Sequence, residues 1–189
     1  TLAFNVTFLL FLLASAQWST FTMPHHSGAA SEAPPSASAA AAAVPPLEVG
    51  WVLEASLTSV GQIFLCESPV SGVLVLVGML VSSRIAATAA FSGALVANLL
   101  ALGLGVDPLA IGKGLWGYSS SLTAVAVATF FEPSMCGCSM GLVGVALTVL
   151  FDGALRSAFA PVHMPVGTLP FCLAGLVMML THSKVPGFA

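Results

Sequence analysis

Long apolar stretches, interrupted by polar residues at few places, dominate the pattern of this sequence. About 20 consecutive apolar residues cross a bilayer as an α-helix, so the pattern predicts spans over residues 85–104, 109–131, 137–159 and 162–181. A further apolar run covers residues 1–17. The pattern therefore predicts an all-α, polytopic membrane helical bundle with four or five spans.

Residues 47–83 depart from this regular pattern. Residues 47–59 are amphipathic, with Glu48 and Glu54 among apolar residues, and are predicted to lie at the membrane interface. Residues 59–83 hold two apolar pieces on either side of the segment CESP, and each piece is too short for a full crossing. Such interrupted segments are typical of re-entrant or broken helices, which are tolerated where they line a cavity within the protein.

A short repeat divides the chain. Residues 1–5 (TLAFN) and 168–172 (TLPFC) share Thr-Leu-x-Phe, and about ten apolar residues follow each copy. Two copies so far apart are expected of a transporter built from two homologous halves. We predict that residues 1–18 end the last helix of a first repeat and that residues 47–189 are the second repeat. Residues 19–46, rich in Ser, Ala and Pro, are predicted to be an extramembrane linker. On this interpretation the N-terminus is a cut through a longer polypeptide.

Composition strengthens the membrane assignment. The 189 residues are 58% hydrophobic and 6% charged, and their mean hydropathy is +1.04. Soluble proteins contain about 25% charged residues, so this chain could not cover a soluble surface, and the lipid bilayer is its expected partner. The net charge is −3 without a basic run, which argues against nucleic-acid binding. The four Lys and Arg residues are too few to fix the orientation in the membrane.

The sequence gives little indication of a metal site or a catalytic site. Cys136 and Cys138 form a C-x-C pair without the further ligands of a zinc site, and Cys66 and Cys172 lie far from it. The four histidines lie in the linker or near helix ends and form no nucleophile–base pair. We therefore predict no metal, no cofactor and no enzymatic activity.

One pair of opposite charges lies inside a predicted span. Asp152 and Arg156 are four residues apart, so they share one face of a helix and are expected to form an ion pair. No chain of Asp, Glu and His that could carry protons accompanies them. Any transport by this protein is therefore expected to be passive.

Three motifs resemble the urea transporter family. Residues 164–171 (MPVGTLPF) are similar to the family signature Leu-Pro-x-x-Thr-x-Pro-Phe, with Met164 for Leu. Residues 60–63 (VGQI) resemble the Val-Gly-Gln-[Val/Ile] at the start of a re-entrant half-helix. Residues 114–122 (GLWGYSSSL) resemble Gly-Leu-Trp-Gly-Phe-Asn-Ser-Ser-Leu, with Ser119 for Asn. The first five residues resemble the first-half copy of the signature, with Ala3 for Pro, and Arg84 stands where the family tends to be apolar. The resemblance covers the chain outside residues 19–46.

The resemblance implies facilitated, channel-like permeation of urea in a homotrimer with one pore per subunit. Urea is neutral, flat and polar, so a pore needs hydrogen-bond acceptors and flat apolar walls rather than a charge. The resemblance assigns the acceptor role to the side-chain oxygens of Gln62, Thr168 and Thr1. Candidates for the walls are Ile63, Leu115, Tyr118 and Leu122. Half-helices with their N-termini at the midplane would also oppose cations.

Two alternatives remain open at this point. A channel for another small neutral solute, such as ammonia, water or a short amide, would have a similar lining, and solute competition would distinguish it. A truncated, non-transporting fragment is the other, because one half of such a protein supplies only one wall of a pore.

Overall fold

The computed structural model describes residues 5–7, 10, 48–131, 135–162 and 165–182. Within these ranges the regular elements are helices: α1 (Val49–Gln62), α2 (Pro69–Ser82), α3 (Arg84–Gly103), α4 (Pro108–Gly112), α5 (Tyr118–Phe130), α6 (Met135–Phe159), a 3₁₀ turn (Ala160–Val162) and α7 (Leu169–His182). The all-α prediction is confirmed. Thr1 and the predicted linker at residues 19–46 lie outside the described residues.

Helix α1 joins two segments that the sequence pattern separated. Most of the amphipathic residues 47–59 and the start of the first short apolar piece, as far as Gln62, form this one helix. One face of α1 is buried in protein and carries small and hydroxyl residues, whereas Glu54 lies exposed on the other face. The amphipathic pattern therefore reflects packing against the bundle.

Helices α1 and α2 are both short, and α2 corresponds to the predicted piece after CESP. Each has 14 residues, which at 1.5 Å per residue gives about 21 Å. The hydrocarbon core of a bilayer is about 30 Å thick. Ser68 and Pro69 begin α2, where proline fits the first helical position.

The predicted span over residues 109–131 is wrong, because a turn at residues 113–117 separates α4 from α5. Gly114 has a φ of +77° in this turn, a conformation that glycine adopts without strain. A Cβ atom there would lie 2.7 Å from the backbone nitrogen of Ser59. The turn therefore lies directly against the backbone of α1.

The predicted span over residues 162–181 begins later than expected. Its helix, α7, starts at Leu169, and a 3₁₀ turn ends at Val162. Pro165 lacks a backbone N–H, and Gly167 has a φ of +56°, so the residues before Leu169 do not continue a helix. The start of α7 therefore follows directly on Thr168.

The predicted spans at residues 85–104 and 137–159 are confirmed as helices α3 and α6. The segments Arg84–Gly103 and Gly137–Phe159 are long and apolar enough to cross a bilayer, and Pro69–Ser82 and Leu169–Thr181 are shorter apolar helices. Large apolar side chains cover the outward faces of several helices, among them Leu74, Leu99, Leu142, Leu150 and Leu180. Such a surface suits lipid.

Small residues bring the helices close together. Ala90, Ala94, Ala97 and Ala101 are fully buried on one face of α3, as is common where membrane helices pack. Trp116, in the turn before α5, contacts two core clusters, one around Ala97 and Val149 and one around Ala101 and Ile111. This turn is thus held in the middle of the bundle.

Hydrogen bonds between buried polar side chains also connect the helices. Thr123 of α5 and Thr148 of α6 share one at 2.8 Å, and Ser121 donates to the carbonyl oxygen of Ala90 in α3 at 2.9 Å. The side-chain amide of Asn98 in α3 donates to Ser59 in α1 at 3.3 Å. These bonds fix the rotation of each helix about its axis, because buried polar groups need their partners.

Candidate functional site

Gln62 is the last residue of α1. The expectation that it starts a half-helix is therefore wrong. Its side chain is 9% exposed, and its Oε1 atom has no hydrogen-bond partner in the described part of the chain. A helix C-terminus carries partial negative charge from its last carbonyl groups. The last carbonyl groups accept hydrogen bonds from the turn that follows α1, whereas Gln62 Oε1 is a buried acceptor that the described residues leave unused. Ile63 follows as a half-buried residue.

The turn before α5 carries Leu115, another predicted wall residue. Its side chain is half-buried, and its carbonyl oxygen accepts a hydrogen bond of 2.7 Å from Arg156. Gly117 in the same turn is so close to α1 that a Cβ atom would lie 2.6 Å from that of Ser59. The turn therefore packs on the last turns of α1, one helical turn before Gln62.

The predicted ion pair is confirmed, and it fixes this turn. Arg156 donates to Asp152 at 2.9 Å, and the two side chains are 31% and 1% exposed. The guanidinium also lies 5.2 Å from the ring centroid of Trp116, within the range of a cation–π interaction. One arginine thus connects α6 to both Leu115 and Trp116.

We expect Arg156→Lys to destabilise the protein by about 1–2 kcal/mol. Lysine keeps the charge but cannot supply the planar group that bonds Asp152 and Leu115 while stacking on Trp116. Thermal unfolding in detergent measures the effect, with Arg84→Lys, an exposed residue at the start of α3, as the control. Equal melting temperatures for the two variants would contradict this role.

Tyr118 and Leu122 begin α5 and are both half-buried. The hydroxyl group of Tyr118 donates a hydrogen bond to the carbonyl oxygen of Gly167. Gly167 directly precedes Thr168, so this bond brings the start of α5 to the start of α7. The structure thus connects two of the residues that the motifs predicted, Tyr118 and Thr168.

Asn5 is the main partner of Thr168. Its amide nitrogen donates to Thr168 Oγ1 at 2.9 Å, and Thr168 Oγ1 lies 3.2 Å from Asn5 Oδ1. The same nitrogen lies 3.3 Å from the Sγ atom of Cys172. Asn5 is 7% exposed, so the contact is well shielded. Thr1, the predicted mate of Thr168, lies outside the described residues.

Sequence reasoning did not assign Asn5 or Asn98 to the site. Both are amide side chains within apolar runs, where polar residues commonly form contacts between helices or carry function. Asn98 Oδ1, Ser119 Oγ and Ser120 Oγ are buried without a partner in the described ranges. The interior near the start of α5 thus has more polar atoms than the described residues satisfy.

An open groove of about 380 Å³ lies elsewhere, between α3, α5 and α6. Its lining is mainly apolar and includes Val96, Ala124 and Leu142. None of the predicted site residues contributes to it. A polar solute would find few hydrogen-bond partners there, so the groove is a poor candidate for the site.

Comparison with known proteins agrees with the motifs. Residues 1–183 match the family model described as Urea transporter. Over 187 residues, or 98% of this chain, the sequence is 29% identical to Urea transporter 1 of Rattus norvegicus and 30% identical to Urea transporter 1 of Capra hircus. The matched region is 47% of each relative, so the chain spans about half the length of the curated relatives it matches. With nearly its whole length matched, the chain belongs to the urea transporter family and is a membrane protein.

Proposed function

We propose that the full-length protein lets urea cross the cell membrane passively, through a pore to which this chain contributes one wall. The observation that carries the proposal is the Oε1 atom of Gln62, a buried acceptor without a partner in the described ranges. The curated relatives bear the name Urea transporter 1, which supports urea as the solute.

Urea needs hydrogen bonds of both kinds during passage. Its two amide groups donate and its carbonyl accepts, and an unreplaced hydrogen bond costs about 1–3 kcal/mol. Gln62 Oε1 offers an acceptor for the amide groups, beside the partly negative end of α1. Thr168 Oγ1 is the second proposed acceptor, and the N-terminus of α7 beside it carries partial positive charge that suits the carbonyl.

Contacts in the described residues link the start of α5 to α1 and to the turn before α7, which supports a shared site. The turn before Tyr118 packs on Ser59 of α1, and the hydroxyl of Tyr118 bonds the residue before Thr168. Half-buried Ile63, Leu115 and Leu122 supply apolar surface on neighbouring elements. We infer that these residues form the walls and that the oxygens of Gln62, Thr168 and Thr1 line the pore.

Passive permeation fits the charges in the described residues. Asp152 is the one carboxylate among them that is fully buried, and Arg156 is bonded to one of its oxygens. The proposal further assigns residues 47–189 to the second of two repeats, and places the full protein as a multi-pass homotrimer with one pore per subunit.

Efflux of urea from vesicles that carry the full-length protein tests the function. We expect permeability well above that of empty vesicles, and we expect Thr168→Val to lower it about fivefold. The variant loses a hydroxyl and its hydrogen bond with Asn5, a loss of about 1 kcal/mol. Thr181→Val is the matched control, because Thr181 is exposed near the end of α7, the helix that Thr168 precedes, and its hydroxyl bonds the local carbonyl of Val177.

Two results would overturn the proposal. Urea permeability equal to that of empty vesicles contradicts urea transport by this protein. The other result is an ammonia or water flux above that of empty vesicles, without any urea flux and without inhibition by urea. It would indicate a channel for another neutral solute.

A further inference from the structure

The hydroxyl group of Tyr118 has a specific partner outside its own helix. Tyr118 is the first residue of α5, and its hydroxyl donates to the carbonyl oxygen of Gly167, 49 positions further along the chain. The family motif given above has phenylalanine at this position, which has no hydroxyl. The hydrogen bond is therefore a feature that this chain adds to the motif.

The bonded carbonyl belongs to the peptide group that precedes Thr168. A peptide group is planar, so a hydrogen bond at its oxygen also restrains its nitrogen, which belongs to Thr168. Gly167 has a φ of +56° and is exposed, so little packing from its own position holds this turn. The bond from Tyr118 is thus a contact from α5 that restrains the turn.

Thr168 is restrained from two sides as a result. Tyr118 restrains its backbone through Gly167, and Asn5 bonds its hydroxyl at 2.9 Å. The aromatic ring of Tyr118 is tied to the same turn, so the distance between ring and threonine is fixed. A fixed distance between a flat ring and a polar group discriminates by size, because a rigid gap cannot widen for an extra methyl group.

We propose that Tyr118 is a positioning residue that sets solute selectivity, by holding the Gly167–Thr168 turn at a fixed distance from its own ring. The solutes that it discriminates are urea and its N-alkylated analogues. This inference rests on the proposed function and adds to it the residue that rejects larger ureas. Without the hydroxyl, ring and turn separate more easily, and bulkier analogues enter.

Tyr118→Phe in the full-length protein tests the proposal, because it keeps the ring and removes one hydrogen bond. Efflux of urea and of N-methylurea is measured from the same vesicles. We expect the ratio of urea to N-methylurea permeability to fall by about two- to tenfold, the factor that one hydrogen bond is worth. A ratio does not depend on how much protein reaches the vesicles.

Ser121→Ala is the matched control. Ser121 lies on the same helix and also donates to a backbone carbonyl of another helix, that of Ala90. Its loss weakens packing between helices to a similar degree, so we expect an unchanged permeability ratio. A ratio that falls equally in both variants would show a general effect of loosened packing and would overturn the proposal.

The remaining outcomes are also decisive. An unchanged ratio in Tyr118→Phe, with urea flux intact or with both fluxes lowered equally, overturns the selectivity role and leaves the proposed function standing. Absence of urea flux in the unsubstituted protein overturns the proposed function itself.

Discussion

We expect Gln62→Met to lower the urea permeability of the full-length protein by about ten- to a hundredfold. Methionine has a similar length and fills the same volume, but it lacks the strong acceptor that Oε1 provides. The backbone at the end of α1 is unchanged, so the loss is that of one hydrogen bond to a urea amide group in a shielded site. Leaving such a donor unsatisfied costs about 1–3 kcal/mol, which corresponds to this range of permeability.

The control for Gln62→Met is Thr148→Val. Thr148 is fully buried in α6, and its hydroxyl bonds that of Thr123. Both substitutions remove a buried polar group, but only Gln62 has an unused acceptor that a solute could meet. Urea efflux should therefore stay near the parent rate in Thr148→Val. Equal losses in the two variants, or no loss in Gln62→Met, would contradict a direct role for Gln62.

The sequence predicted the longest helices well because their runs are long and mainly apolar. Helices α3 and α6 lie where residues 85–104 and 137–159 were expected. The break between α4 and α5 was missed because residues 109–131 are also mainly apolar, although Lys113, Gly114 and Gly117 lie in the turn. Glycine is common within membrane helices too, so its presence does not by itself predict a break.

Motifs predicted Gln62 and Thr168 as site residues, but they did not predict the structure around them. The local pattern did not show that α1 ends at Gln62. The pairing of Thr168 with Asn5 joins residues 163 positions apart, and no local pattern predicts such a contact. The contact of buried Asn98 with Ser59 was not predicted for the same reason, since these residues are 39 positions apart.

The contact between Asn5 and Cys172 adds an argument for two related halves. Asn5 is the fifth residue of the segment TLAFN, and Cys172 is the fifth residue of TLPFC. Their side chains lie 3.3 Å apart, so the equivalent positions of the two copies meet. Equivalent positions meet where two repeats are related by an axis that passes between them. The proposed two-repeat arrangement would produce such a contact where the two copies meet.

Gly72→Ala should destabilise the protein by about 3 kcal/mol. Gly72 is buried in α2 against α1, and a Cβ atom there would lie 2.6 Å from the carbonyl carbon of Leu57 and closer still to its oxygen. The atoms in the way belong to helix backbone, which cannot rotate aside as a side chain can. Alanine must therefore push the two helices apart, and overpacking of this kind costs about 1–3 kcal/mol or more.

Gly78→Ala is the matched control for Gly72→Ala. Gly78 lies on the same helix, six residues further along, and a Cβ atom there would meet nothing within 4 Å. Because alanine favours a helix over glycine by about 1 kcal/mol, this variant should be as stable as the parent or more so. Thermal unfolding in detergent measures both. The separation of α1 from α2 should also displace Gln62 at the end of α1, so urea efflux should fall in Gly72→Ala and not in Gly78→Ala. Equal melting temperatures for the two variants would show that α1 and α2 do not pack at this glycine.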